Sequence, residues 1–187
     1  MTTTTQQSPS RAVPRMAPDT GRAALHSTFA ARSLAVLRIA FGLTFLWAFV
    51  DKVFGLGYAT KSGQGWIDGG DPTMGFLTKG TDGPFKDFYA GLAGDFWVTP
   101  LFMIGLAGLG IALTLGIGMR VAAVSGVLLY LLMWSAALPP ANNPVLDDHI
   151  LGAITLVVLA ATAAGDTWGL GRQWARTDVV RRFPVLR

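Results

Sequence analysis

Four long apolar runs, separated by polar stretches of unequal length, set the pattern of this chain. The first, SLAVLRIAFGLTFLWAFVDKVF, covers residues 33–54, and the second, VTPLFMIGLAGLGIALTLGIG, covers 98–118. The third runs over about 119–138 and the fourth over about 144–165. Each reaches the ~20 predominantly apolar residues that a helix needs to cross a bilayer. The first is too long for a cleaved signal peptide, and no small-residue cleavage site follows it. The pattern therefore predicts an all-α integral membrane four-helix bundle. The second and third runs are nearly contiguous, so Gly116 to Arg120 must form a tight turn between antiparallel helices. Gly108, Ala112 and Gly116 recur every four residues, as do Ala122 and Gly126, a spacing that lets membrane helices approach closely. This stripe reads as packing inside the bundle.

The polar stretches fill in the outline. Residues 1–32, rich in Thr, Ser, Pro and Arg, read as a disordered region. Residues 55–97 form a long loop in which Phe85, Phe88, Tyr89, Leu92 and Phe96 share one helical face, predicting an amphipathic interfacial helix or a lid. The segment 166–187 combines Trp168 and Trp174 with arginines, which predicts a basic tail lying along an anionic leaflet.

Composition agrees with a membrane protein. Of 187 residues, 51% are hydrophobic and 14% charged, against about a quarter charged in soluble domains. The absence of cysteine excludes disulfides, iron–sulfur clusters, thiolate zinc and Cys-x-x-Cys chemistry. The two histidines, His26 and His149, belong to opposite ends of the predicted bundle, so a bis-histidine haem is not expected either.

The net charge of +4 is a topology signal and not a nucleic-acid footprint. Residues 1–32, the tight turn and the tail hold ten arginines against Asp19, Asp166 and Asp178. The opposite side holds four lysines against eight aspartates. Since positive loops stay cytoplasmic, both termini are expected inside, with the long loop and the fourth run's start outside, in a multi-pass protein of a bacterial plasma membrane.

That outward rim carries the candidate chemistry. ANNPVLDDHI, residues 141–150, sets Asp147, Asp148 and His149 at the start of an apolar run. Asn143 suits an N-cap and Pro144 a first helical turn, so capping accounts for part of the motif. Capping does not account for a second Asp and a His. From Ser33 to Asp51 a helix rises about 27 Å, bringing Asp51 and Lys52 to the same depth. Ionisable groups at membrane depth tend to pair or to mark a site. Trp47, Trp134, Asn142 and Asn143 lie nearby in sequence terms, and aromatic walls with a few polar groups suit a quinone ring. His149 and Asp148 are the expected proton carriers, and Asp51 and Lys52 together the polar clamp. A metal is not expected, because three successive helical residues point about 100° apart. Arg38 reads as a snorkelling residue or a partner of Asp166.

Several short motifs occur in a fixed order: Arg38 with Gly42, Trp47-x-x-x-Asp51-Lys52, Leu115-Gly116-x-Gly118-x-Arg120-x-Ala122-Ala123, Asn143-Pro144 and Trp168-Gly169-Leu170-Gly171-Arg172. Together they make residues 33–175 resemble the DoxX family of four-span bacterial membrane proteins. The closest likeness is to the branch containing the DoxD-type subunit of thiosulfate:quinone oxidoreductase. The resemblance implies a quinone-linked membrane subunit that takes electrons from a sulfur compound such as thiosulfate. It also implies further membrane or periplasmic redox subunits as partners, and it leaves a homo-oligomer open. The rival expectation is a non-catalytic anchor or assembly subunit of a respiratory complex. A small-solute transporter ranks last, because no internal repeat or broken helix supports it.

Overall fold

The computed structural model describes residues 28–141 and 143–187. His26, Asn142 and the polar segment before residue 28 lie outside the described residues. Among those described, the chain is all-α with no strand. Eight α-helices follow one another: α1 Thr28–Phe54, α2 Met74–Lys79, α3 Lys86–Gly91, α4 Val98–Leu115, α5 Met119–Ala136, α6 Asp148–Ala161, α7 Gly171–Trp174 and α8 Asp178–Arg182.

Helices α1, α4 and α5 are long and apolar enough to cross a membrane. The first begins at Thr28, five residues before the expected start of the run, and its 27 residues rise about 40 Å. The fourth apolar run gives less than expected. Helix α6 has 14 residues, about 21 Å of rise, short of the ~30 Å hydrocarbon core. Its start is displaced because the N-cap is Asp147, whose carboxylate accepts from the N–H of His149 and Ile150. Asn143 caps nothing helical: its Oδ1 accepts from Val145 N and Leu146 N, both at 2.9 Å. Trp134 Nε1 donates to Val145 O (2.9 Å), which holds residues 143–146 as a loop against α5.

The four long elements alternate in direction. Helix α1 packs on α4 and α5 on α6, around a core of Phe45, Met103, Leu106, Leu109, Leu113, Leu156 and Leu159. The α4–α5 turn forms as expected from its glycines. Gly116 and Gly118 adopt φ of 72° and 58°, left-handed values that a Cβ resists.

Close contacts use only part of the expected stripe, Gly116 and Gly126 but not Gly108, and add glycines outside it. A Cβ on Gly42 would collide with Thr114 of α4, including its backbone N at 2.6 Å, and one on Gly110 would lie 2.6 Å from Leu46 Cγ. Gly126 is pressed against Leu156, and Gly152 against the Tyr130 ring. Gly105 and Gly108, by contrast, face open space. With Ala112 and Ala122 they line an apolar groove of about 430 Å³ between α4 and α5.

The long loop is ordered by two anchors. Asp71 Oδ1 accepts from the hydroxyls of Thr73 (2.8 Å) and Thr99 (2.6 Å), tying the loop to the start of α4. Tyr89 is buried beside Leu77 and Ala136 and donates to Leu132 O at 3.0 Å. The expected amphipathic helix is thus only the six residues of α3. Its aromatic face is divided: Tyr89 turns inward, while Phe88 and Phe96 are exposed.

Candidate functional site

Two groups of ionisable side chains lie at opposite ends of the bundle. At the end holding the α4–α5 turn and the tail, Arg38 is 0% exposed. A guanidinium has five N–H donors and no acceptor, and Arg38 directs them at five backbone carbonyls. Nε donates to Ala164 O (3.2 Å) and Nη1 to Leu113 O and Thr114 O (2.9 Å). Nη2 donates to Thr167 O (3.3 Å) and Trp168 O (3.0 Å). Leu113 and Thr114 belong to the last turn of α4, where carbonyls lack helical partners and the dipole is negative. Gly116 and Gly169 let backbone approach the guanidinium, since a Cβ on either would lie 3.0 Å from it.

The expected pairing of Arg38 with Asp166 is therefore corrected. Asp166 instead receives Arg187 Nη2 at 3.1 Å. The tail is tied back under the bundle, with Arg120 N donating to Arg187 O (2.9 Å) and Trp174 Nε1 to Leu186 O (2.6 Å).

At the opposite end Asp51 is 1% exposed. Its carboxylate accepts from Tyr58 N (3.3 Å) and Thr60 N (2.8 Å), closing the turn that follows α1. Trp47 meets the Tyr58 ring edge-on, with centroids 5.1 Å apart. Both aromatics are largely exposed. Lys52 makes no ion pair among the described residues.

The LDDH stretch forms a separate group. Asp147 Oδ2 lies 2.7 Å from His149 Nδ1, and the two side chains are 17% and 23% exposed. Asp148, the expected partner of His149, is exposed at the first position of α6 and makes no bond to the imidazole. Burial raises the pKa of the Asp147 carboxyl. The His149 ring and the N–H groups of Ile150 and His149 outweigh that effect and hold it below the ordinary carboxylate range. An ionised carboxylate only accepts, so in neutral His149 the proton sits on Nδ1 and Nε2 carries the lone pair. The ring meets Tyr130 edge-on at 6.1 Å, and Tyr130 in turn packs against Phe45 at 5.7 Å.

The structure thus brings Asp147 and His149 together and adds Tyr130. No hydrogen bond, ion pair or ring contact among the described residues joins Asp51 or Lys52 to them. Tyr130 escaped the sequence reading, although a hydroxyl-bearing ring within an apolar run was a usable signal. Its meeting with His149 depends on Gly152, whose missing side chain makes room for the ring.

Comparisons with family models, curated proteins and solved structures give no match to this chain.

Proposed function

We propose that this chain is the membrane subunit of a quinone-linked oxidoreductase, with its arginine-rich end cytoplasmic and its proton site at the outer rim formed by Asp147, His149 and Tyr130. The observation that carries the reading is the 2.7 Å contact between His149 Nδ1 and the Asp147 carboxylate. A carboxylate that holds one ring nitrogen fixes the tautomer and orientation of the imidazole and leaves the other nitrogen facing outward from the pair. Two-electron reduction of a quinone consumes two protons. His149 would pass them from the aqueous phase through Nε2, and Tyr130 would supply the aromatic wall for the ring. The electrons come from a partner subunit or from a sulfur compound such as thiosulfate, because no cysteine is present to carry a cluster or thiol. The four-run order of short motifs, which resembles the DoxX family, supports the same assignment.

The rival reading is an anchor subunit. It is favoured by Arg38 and Asp51, whose hydrogen-bonding groups are taken up by the protein's own backbone. The two readings separate on bound quinone. Protein purified with native lipids should lose most of its extractable quinone in His149→Ala and in Asp147→Asn, where the Asn still caps α6. Equal quinone in wild type and both variants, with partner subunits still co-purifying, supports the anchor and refutes the site.

A further inference from the structure

The groove between α4 and α5 has an apolar wall and a basic mouth. Its wall is Ile104, Gly105, Gly108 and Ile111 on one helix and Val121 and Ser125 on the other. It extends down to Trp174 and Leu186 of the tail. Trp174 also lines a second cleft of about 150 Å³, together with Met119, Arg120, Asp166, Gly171 and Arg187. Trp174 therefore borders both hollows. Trp174 is held there by the bond from its Nε1 to Leu186 O at 2.6 Å.

Two arginine side chains face one aspartate at this junction. Arg120 uses one guanidinium nitrogen on Pro184 O (3.1 Å), and Arg187 uses one on Asp166 (3.1 Å). Their remaining N–H donors make no further hydrogen bond among the described residues. Asp166 is the only acidic residue lining the cleft. The same tail adds Arg172, Arg176, Arg181 and Arg182 against Asp178. A long apolar channel along membrane-length helices, ending at always-charged planar donors and an interfacial tryptophan, has the chemistry of one molecule type.

We infer that these two hollows form a single binding site for an anionic phospholipid, with an acyl chain lying in the α4–α5 groove and the headgroup phosphate at Arg120 and Arg187. Lipid is the occupant because the groove opens sideways between helices of membrane-crossing length and apolarity. An anionic headgroup follows from charge complementarity at its mouth. The openness of Gly105 and Gly108 keeps the groove wide enough for a chain, and any larger side chain there would fill it.

The test uses the full-length protein in detergent micelles doped with equal phosphatidylglycerol and phosphatidylcholine, with retained lipid counted by native mass spectrometry. Wild type should retain one phosphatidylglycerol per chain, enriched on the order of 25-fold over phosphatidylcholine. Each arginine near an anionic surface is worth about fivefold, so Arg120→Gln with Arg187→Gln should reduce the enrichment to the mixing ratio. Arg120→Lys should keep part of it, and Arg181→Gln, outside both hollows, should keep all of it. Gly108→Leu, whose side chain enters open space, should abolish retention while helicity by circular dichroism stays unchanged. The inference is overturned if wild type shows no enrichment, or if the double Gln variant keeps it. It is overturned equally if Gly108→Leu leaves lipid bound, or if that substitution instead converts a wild-type dimer to monomer, which would make a second copy the occupant.

Discussion

At one end of the bundle a guanidinium has every donor matched, whereas at the other a carboxylate–imidazole pair leaves a ring nitrogen uncommitted among the described residues. Arg38 is buried among carbonyls at the end of α4 and in the segment after α6. Among the described residues His149 has one side-chain hydrogen-bond partner, Asp147, and it remains partly exposed. A buried charge surrounded by the protein's own backbone is architecture, since moving it would leave several polar groups unpaired. A partly open pair has capacity left for a proton. Asp51 falls on the architectural side of this division although it shares an end with His149.

Removing Arg38 gives the largest expected effect. Arg38→Leu orphans five carbonyls and should cost about 5 kcal/mol or more, at 1–3 kcal/mol per unsatisfied buried group. Arg38→Lys should recover only part of this, because an ammonium offers three donors without the planar fork. Unfolding in mixed micelles followed by circular dichroism measures both. His149→Gln in the same assay should cost only about 1 kcal/mol, since the Asp147 cap of α6 survives.

A smaller contrast separates the two kinds of glycine. Gly42→Ala forces α1 away from Thr114 and should destabilise by about 1–3 kcal/mol. Gly108→Ala meets nothing, and its better helix propensity should stabilise by up to about 1 kcal/mol. Equal effects at the two positions would show that both face a partner.

The smallest effect is on the acid limb of stability. Burial raises the pKa of the Asp71 carboxyl. The hydroxyls of Thr99 and Thr73 and the N–H groups of Thr73 and Met74 outweigh this and leave it lowered. A lowered folded pKa gives stability that is complete above the ordinary carboxylate value of about 4 and is lost as pH falls through the lower folded value. Asp71→Asn should therefore lower the unfolding midpoint at neutral pH and flatten its decline below about pH 4, where wild type and variant converge.

The long helices were legible because apolar length is a local property, and so was the glycine turn. The start of α6 was not. Asn143 and Asp147 are both good caps, and the choice is made by Trp134 Nε1 gripping Val145 O, a contact from another helix. Arg38 was legible as an oddity, but its partners lie at least 75 residues away in sequence, and charge pairing pointed to Asp166. The Gly108–Ala112 spacing was visible, yet spacing alone does not tell which way a stripe faces. Within the candidate site, Asp147 and His149 were named but joined differently: the bend before α6 turns Asp147, not Asp148, toward the ring.

How Asp147 holds His149 is read directly by nitrogen-15 NMR of the labelled protein, with His26→Gln used to assign the two imidazoles. The neutral His149 ring should carry its proton on Nδ1, and Asp147→Asn should shift the population toward the Nε2 tautomer. An Nε2-protonated ring in wild type, unaltered by Asp147→Asn, would contradict the pairing and leave His149 as an ordinary residue of the helix start.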